Sequence, residues 1–104
     1  MIIYNSKNPS LVEVTIENKS QFEIEKAIIQ DDEVNNNYII ENLTKNSSKK
    51  IFLYARGEIG YKLTVVLNNG DSLLTGGYAE TGYKDLYVVK NDSIIYKPRF
   101  KSYF

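Results

Sequence analysis

The 104-residue chain contains no cysteine and no histidine. Without cysteine there is no disulfide framework, no thiolate metal site and no Cys nucleophile. Without histidine the commonest general acid/base and the commonest metal ligand are missing, and Ser–His and Cys–His nucleophile pairs are impossible. Alanine is scarce, which disfavours helix. No apolar stretch approaches the ~20 residues that a membrane helix needs. The opening Met1-Ile2-Ile3-Tyr4-Asn5-Ser6 lacks a basic start followed by an apolar run, so no signal peptide is expected and a cytosolic location is.

The residues present read as a globular β protein. Hydrophobic residues make up 42% and charged residues 25%, enough apolar side chains for a core and too few charges for disorder. The length suits a single domain over residues 1–104 that needs no metal or disulfide staple. Nine Tyr and four Phe join aliphatics that lean towards Ile and Val, the types that pack well on a pleated surface. The formal net charge is zero, which argues against a nucleic-acid binder. That zero hides a split. Residues 1–44 hold three Lys against eight acidic residues, a net of −5, and residues 45–104 hold ten Lys/Arg against five, a net of +5. A two-sheet fold that kept the halves apart would turn this into two differently charged surfaces.

Alternation marks the strands. In Leu11–Glu17, Val12, Val14 and Ile16 share one face and Glu13, Thr15 and Glu17 the other. Asn18-Lys19-Ser20 punctuates its end. Phe22–Ile29 reads two ways. With period two, Phe22, Ile24 and Ile28 face inwards beside Lys26. As a helix, Ser20 and Glu23 match a capping box. The alternation around Ile24 and the short length favour strand. Asp31-Asp32-Glu33 and Asn35-Asn36-Asn37 form a polar loop, and Tyr38–Leu43 is the next strand. Ile51–Ala55 is a largely apolar run, as expected near the centre of a sheet. Tyr61–Leu67 alternates and runs into Asn68-Asn69-Gly70-Asp71, the sign of a hairpin with a type I′ turn and positive φ at both central residues. Ser72–Thr75 returns, Gly76-Gly77 and Gly82 mark a bend, and Leu86–Val89 and Ser93–Tyr96 form a last hairpin. Seven or eight short strands with turn signals every 8–12 residues predict an antiparallel β-sandwich, with a small β-barrel as the alternative.

Few residues carry recognisable chemistry. Gly76-Gly77 lacks the pattern and following helix of a phosphate loop, so the expected role is a bulge or crossing where a Cβ would clash. Asp31-Asp32-Glu33 lacks the alternating spacing of a calcium loop. Its first expected role is a solvated loop between two strands; the alternative is an acidic face, formed with Glu13, Glu17, Glu23 and Glu25 on neighbouring strands, that speeds encounter with a basic protein. Tyr61 and Tyr87 fit core positions, and Tyr78 and Tyr83 beside the glycines suit buried rings with hydroxyls at the edge. The remaining tyrosines leave open an exposed stacking surface for carbohydrate. Lys97–Phe104 mixes cations and aromatics, and a final edge strand guarded by Lys and Pro is the expected outcome.

Three stretches together resemble a known group: Ile16-Glu17-Asn18 at a strand end, Asn42-Leu43-Thr44-Lys45-Asn46-Ser47-Ser48 leading into an apolar strand, and the Asn69-Gly70 hairpin leading to Gly77-Tyr78 and Gly82-Tyr83. The pattern resembles small immunoglobulin-like β-sandwich proteins of bacteria, over about residues 11–95, and is similar to the immunity proteins of contact-dependent growth inhibition systems. The resemblance implies a non-enzymatic cytosolic protein that binds a toxin domain, often a nuclease, and blocks its active site. It implies no cofactor, no metal, and no nucleic-acid or membrane partner. Glu23, Glu25, Asp31, Asp32 and Glu33 are the expected contact residues, with Tyr38 as an aromatic anchor. A carbohydrate- or ligand-binding sandwich using exposed tyrosines is the alternative.

Overall fold

A computed structural model describes residues 11–32, 36–54 and 57–99, with the backbone alone for 98 and 99. Eight strands follow in order: β1 (Leu11–Asn18), β2 (Ile24–Asp31), β3 (Asn37–Leu43), β4 (Ser48–Tyr54), β5 (Glu58–Leu67), β6 (Ser72–Glu80), β7 (Lys84–Val89) and β8 (Ile94–Arg99). They form two packed four-stranded sheets, ordered β4-β1-β7-β8 and β3-β2-β5-β6, and neither closes into a barrel. Every strand pair is antiparallel except β1 with β7. There is no helix among the described residues. The fold is therefore the all-β sandwich that the turn spacing predicts.

Period-two alternation builds the core. Val12, Val14 and Ile16 of β1, Tyr87 and Val89 of β7, and Ile59, Tyr61, Leu63, Val65 and Leu67 of β5 all point between the sheets and are buried. Each such aliphatic contributes about 1.5–3 kcal/mol by leaving water.

The ambiguous segment is not helical: Ser20–Phe22 bend and strand β2 begins at Ile24, with a change of phase that the simple pattern does not contain. The β2–β5 register shifts between Ile24 and Lys26, so one extra residue is accommodated there. Beyond the bulge Ala27, Ile29 and Asp31 point inwards, while Lys26 and Gln30 are exposed and Ile28 is half-buried. Asn42, facing the bulge from β3, takes a positive φ of 57°, which Asn tolerates better than most residues. Leu43 and Ile40 stay buried on either side of it.

The capping-box residues do other work. Asn18 is fully buried at the end of β1. Its Nδ2 donates to the carbonyls of Phe22 (2.8 Å) and Leu43 (2.9 Å), and its Oδ1 accepts from the Ser20 amide (3.0 Å) and hydroxyl (2.7 Å). One side chain thus ties the end of β1 to the entry of β2 and to β3 in the opposite sheet.

Three local expectations change. The Asn68–Gly70 hairpin is real, but only Gly70 has positive φ (97°), and the Leu67 amide bonds to the Asp71 carbonyl while the Gly70 amide bonds to the Leu67 carbonyl. It is a three-residue loop with glycine in the left-handed position, not a type I′ turn. β4 lies at a sheet edge, not the centre, with Phe52 and Tyr54 exposed and Leu53 its buried member. Gly76-Gly77 causes no bend, because β6 runs straight through both in unbroken register with β5. The last strand, by contrast, lies at an edge as expected and carries Lys97 and Pro98.

The two halves do not separate into the two sheets. β1 of the first half lies between β4 and β7 of the second, and the other sheet joins β3-β2 of the first half to β5-β6 of the second, so each sheet carries strands from both halves.

Candidate interaction face

The outer face of the β3-β2-β5-β6 sheet is set by register. Ile39 faces Ile28, Ile28 faces Thr64, and Thr64 faces Leu74, giving a row that crosses all four strands. Its ends are open to solvent, with Ile39 56% and Leu74 72% exposed. Without the β2 bulge Ile28 would point into the core and the row would be broken. Lys26 and Glu41 flank the row on one side, and Gln30 and Lys62 on the other.

One end of this face is acidic. Glu58 and Glu80 stand directly opposite each other on β5 and β6, an arrangement that is mutually unfavourable. Asp32 joins them. Its Oδ2 lies 2.9 Å from the point where a Cβ on Gly60 would stand, so the missing side chain lets this carboxyl lie over β5. Tyr78, opposite Gly60, is 55% exposed. Partial desolvation, then a hydrogen bond to Glu58 and the charges of Glu58 and Glu80, raise its phenol above the ordinary value. No group of three or more acidic side chains among the described residues is arranged to hold a metal ion.

The residues expected to form the contact surface scatter. Asp31 faces the core opposite Tyr61 and is buried. Tyr38 is half-buried and packs against the core beside Ile29. Glu23 is half-buried, and its carbonyl accepts the Asn68 amide (2.9 Å). Glu25 is exposed at the bulge and Asp32 in the turn after β2, while Glu33 lies outside the described residues. Glu13 and Glu17 sit on the outer face of the other sheet, where Lys50 approaches Glu13 at 3.7 Å and Lys84 pairs with it in register. Among the described residues, the acidic side chains of the first half of the chain do not gather on one face. Asp32 instead meets Glu58 and Glu80 from the second half, which only the β2–β5–β6 pairing brings together.

The tyrosines divide by depth. Tyr61 and Tyr87 are buried, as their strand positions predict. Tyr83 packs half-buried against the core, whereas Tyr78 is exposed, contrary to expectation. Exposed Tyr54 and Tyr78 stand on opposite outer faces and make no common platform.

A second polar cluster lies between the sheets and was not legible in advance. The Tyr61 hydroxyl of β5 donates to Oδ2 of Asp85 on β7 (2.5 Å) and lies 2.8 Å from the Tyr87 hydroxyl. The Tyr96 hydroxyl of β8 donates to the other Asp85 oxygen (3.0 Å). Tyr87 stacks on Tyr96 and meets Tyr61 edge-on. Gly77 makes the room, since a Cβ there would collide with Cζ of Tyr61 (2.5 Å) and with the Tyr87 hydroxyl. Burial above all, then Tyr87 and the bond to Asp85, pushes the Tyr61 phenol far up. Burial raises Tyr87 too, and burial with the charge of Asp85 pushes Tyr96 up to about 12. With Asp85 only 1% exposed, the cluster latches the two sheets together. Its sequence signal is Asp85 standing in phase with Tyr87 and Val89, where an apolar residue belongs.

No family model and no curated protein matches the chain. It is similar to a solved structure described as the NMR structure of a protein from Eubacterium rectale. The TM-score is 0.67 at 9% identity, over 83% of this chain and 87% of that one. At that identity the likeness concerns the fold alone.

Proposed function

We propose that the protein is a binding domain whose working surface is the outer face of the β3-β2-β5-β6 sheet, and that it neutralises a bacterial toxin domain as an immunity protein. The observation that carries this is the row Ile39–Ile28–Thr64–Leu74 with its exposed apolar ends, which shares one outer face with Tyr78, Asp32, Glu58 and Glu80 beyond the Gln30–Lys62 row. Exposed aliphatics on the same sheet face as an exposed aromatic and a cluster of one charge sign suit a protein contact with an apolar part and a charged rim. The absence of histidine and cysteine fits a protein that acts by occupancy. The acidic end favours a basic partner surface, such as the substrate cleft of a nuclease, and would speed encounter with it. A cytoplasmic site of action follows from the same proposal, since the toxin must be met where it acts. The sequence pattern resembling immunity proteins supports the toxin assignment over other protein partners.

The test is co-expression with the product of the adjacent upstream gene. Rescue of growth and co-purification of the two chains are expected, both lost in Ile39→Asp combined with Glu58→Lys. An upstream gene without a toxin domain, and no recovered partner, would overturn the proposal.

A further inference from the structure

The four sheet edges are not alike. β3 carries the positive-φ kink at Asn42, β4 exposes Lys49 and Lys50, and β8 carries Lys97 and Pro98, all features that discourage pairing. β6 has none of them. It is nine residues long, regular, and free of Lys, Pro and positive φ, with one charge at its last position, Glu80. Among the described residues no strand pairs its far edge.

The hydrogen-bond phase of that edge is fixed. The amide of Leu67 bonds to Asp71 and that of Thr81 to the Gly57 carbonyl, while Gly60 offers its carbonyl to Asp32 on the other side. Odd-numbered residues of β5 therefore face β6, and their partners Leu73, Thr75, Gly77 and Ala79 face back. Ser72, Leu74, Gly76, Tyr78 and Glu80 point their N–H and C=O groups away from the sheet.

This outward set is symmetric about Gly76. We propose that β6 pairs antiparallel with β6 of a second copy across a twofold axis at Gly76, joining two four-stranded sheets into one. Gly76 then faces Gly76, Leu74 faces Tyr78, and Ser72 faces Glu80. Each of the five facing pairs exchanges two backbone bonds, about ten in all. Leu74 and Tyr78 form an aliphatic–aromatic cross-strand pair twice over, and the ring lies beside the bare Gly76 backbone. The one charge per strand meets a serine and never its own kind. The pairing engages Leu74, Tyr78 and Glu80, which the binding proposal also uses, but leaves Ile39, Asp32 and Glu58 free, and sedimentation of the isolated chain tests it without any partner.

Sedimentation of the isolated chain from low micromolar to near-millimolar concentration is the first readout, and a monomer–dimer equilibrium is expected. Leu74→Lys, at a well-exposed position, weakens the dimer at least tenfold with unchanged far-UV circular dichroism. The cysteine-free chain also allows a register test. A Cβ at Gly76 meets nothing nearer than the Tyr61 carbonyl oxygen at 3.6 Å, so Gly76→Cys is tolerated. It is expected to cross-link into a covalent dimer on mild oxidation, whereas Ser72→Cys alone does not. A monomer at every concentration, equal cross-linking of the two variants, or a dimer indifferent to Leu74→Lys would overturn the proposal.

Discussion

Gly77 and Gly76 are neighbours in one strand, and replacing each by alanine has opposite expected outcomes. Gly77 faces the core. A methyl there meets Cζ of Tyr61 at 2.5 Å, Cε1 at 2.7 Å and the Tyr87 hydroxyl. These are rigid rings held by hydrogen bonds to Asp85 and to each other, so neither retreats cheaply. Overpacking of this kind costs about 1–3 kcal/mol. Displacing the Tyr61 hydroxyl from a carboxylate adds about 1.5–3 kcal/mol. Gly77→Ala is thus expected to destabilise by about 3–5 kcal/mol, a large part of the roughly 5–15 kcal/mol that holds a domain together. Gly76 faces out and has ordinary space, so Gly76→Ala shifts stability by no more than about 1 kcal/mol. Urea denaturation followed by circular dichroism reads both. With a slope of about 1.5 kcal/mol per molar, Gly77→Ala lowers the midpoint by roughly 2–3 M and Gly76→Ala barely moves it. Equal midpoints for the two variants would refute the assignment of Gly77 as the space behind the Tyr61–Asp85 latch.

Two further outcomes follow from buried polar groups. Asn18→Leu removes four hydrogen bonds and takes a donor from the buried Leu43 carbonyl and the partly buried Phe22 carbonyl, so a loss of about 3 kcal/mol is expected in the same denaturation assay. The raised phenols set an alkaline limit. Tyr61, Tyr87 and Tyr96 ionise near 10 when unfolded and higher when folded, so their contribution is whole below pH 10 and is lost as pH rises from there, through about 12 for Tyr96. Ultraviolet titration should show the exposed tyrosines ionising first and Tyr61 and Tyr87 only with loss of tertiary structure. Their smooth ionisation in the intact fold would count against the latch.

Legibility in the sequence followed the physics of each segment. β1 was plain because strict alternation has one solution, and Tyr61 and Tyr87 were placed by the same rule. β2 was harder, because a single extra residue at the bulge reverses which side chains face the core. That reversal buried Asp31 and turned Ile28 outwards. The apolar run of β4 resembled a central strand, yet one buried residue and two exposed aromatics suffice at an edge. The role of Asp85 is not legible because Tyr61 lies in the opposite sheet and meets it only once the sheets pack, while Tyr96 reaches it across the last hairpin. The acidic end of the candidate face was half visible. Asp32 was singled out, but Glu58 and Glu80 join it through strand pairing that composition does not encode.

The most direct measurement is calorimetric titration of the toxin domain that the proposal requires with matched variants of the two outer faces. Ile39→Asp and Glu58→Lys alter the β3-β2-β5-β6 face, and Phe52→Asp and Lys84→Glu alter the other. The proposed surface predicts affinity lost by tenfold or more in the first pair and retained in the second. Affinity retained in the first pair and lost in the second would contradict it.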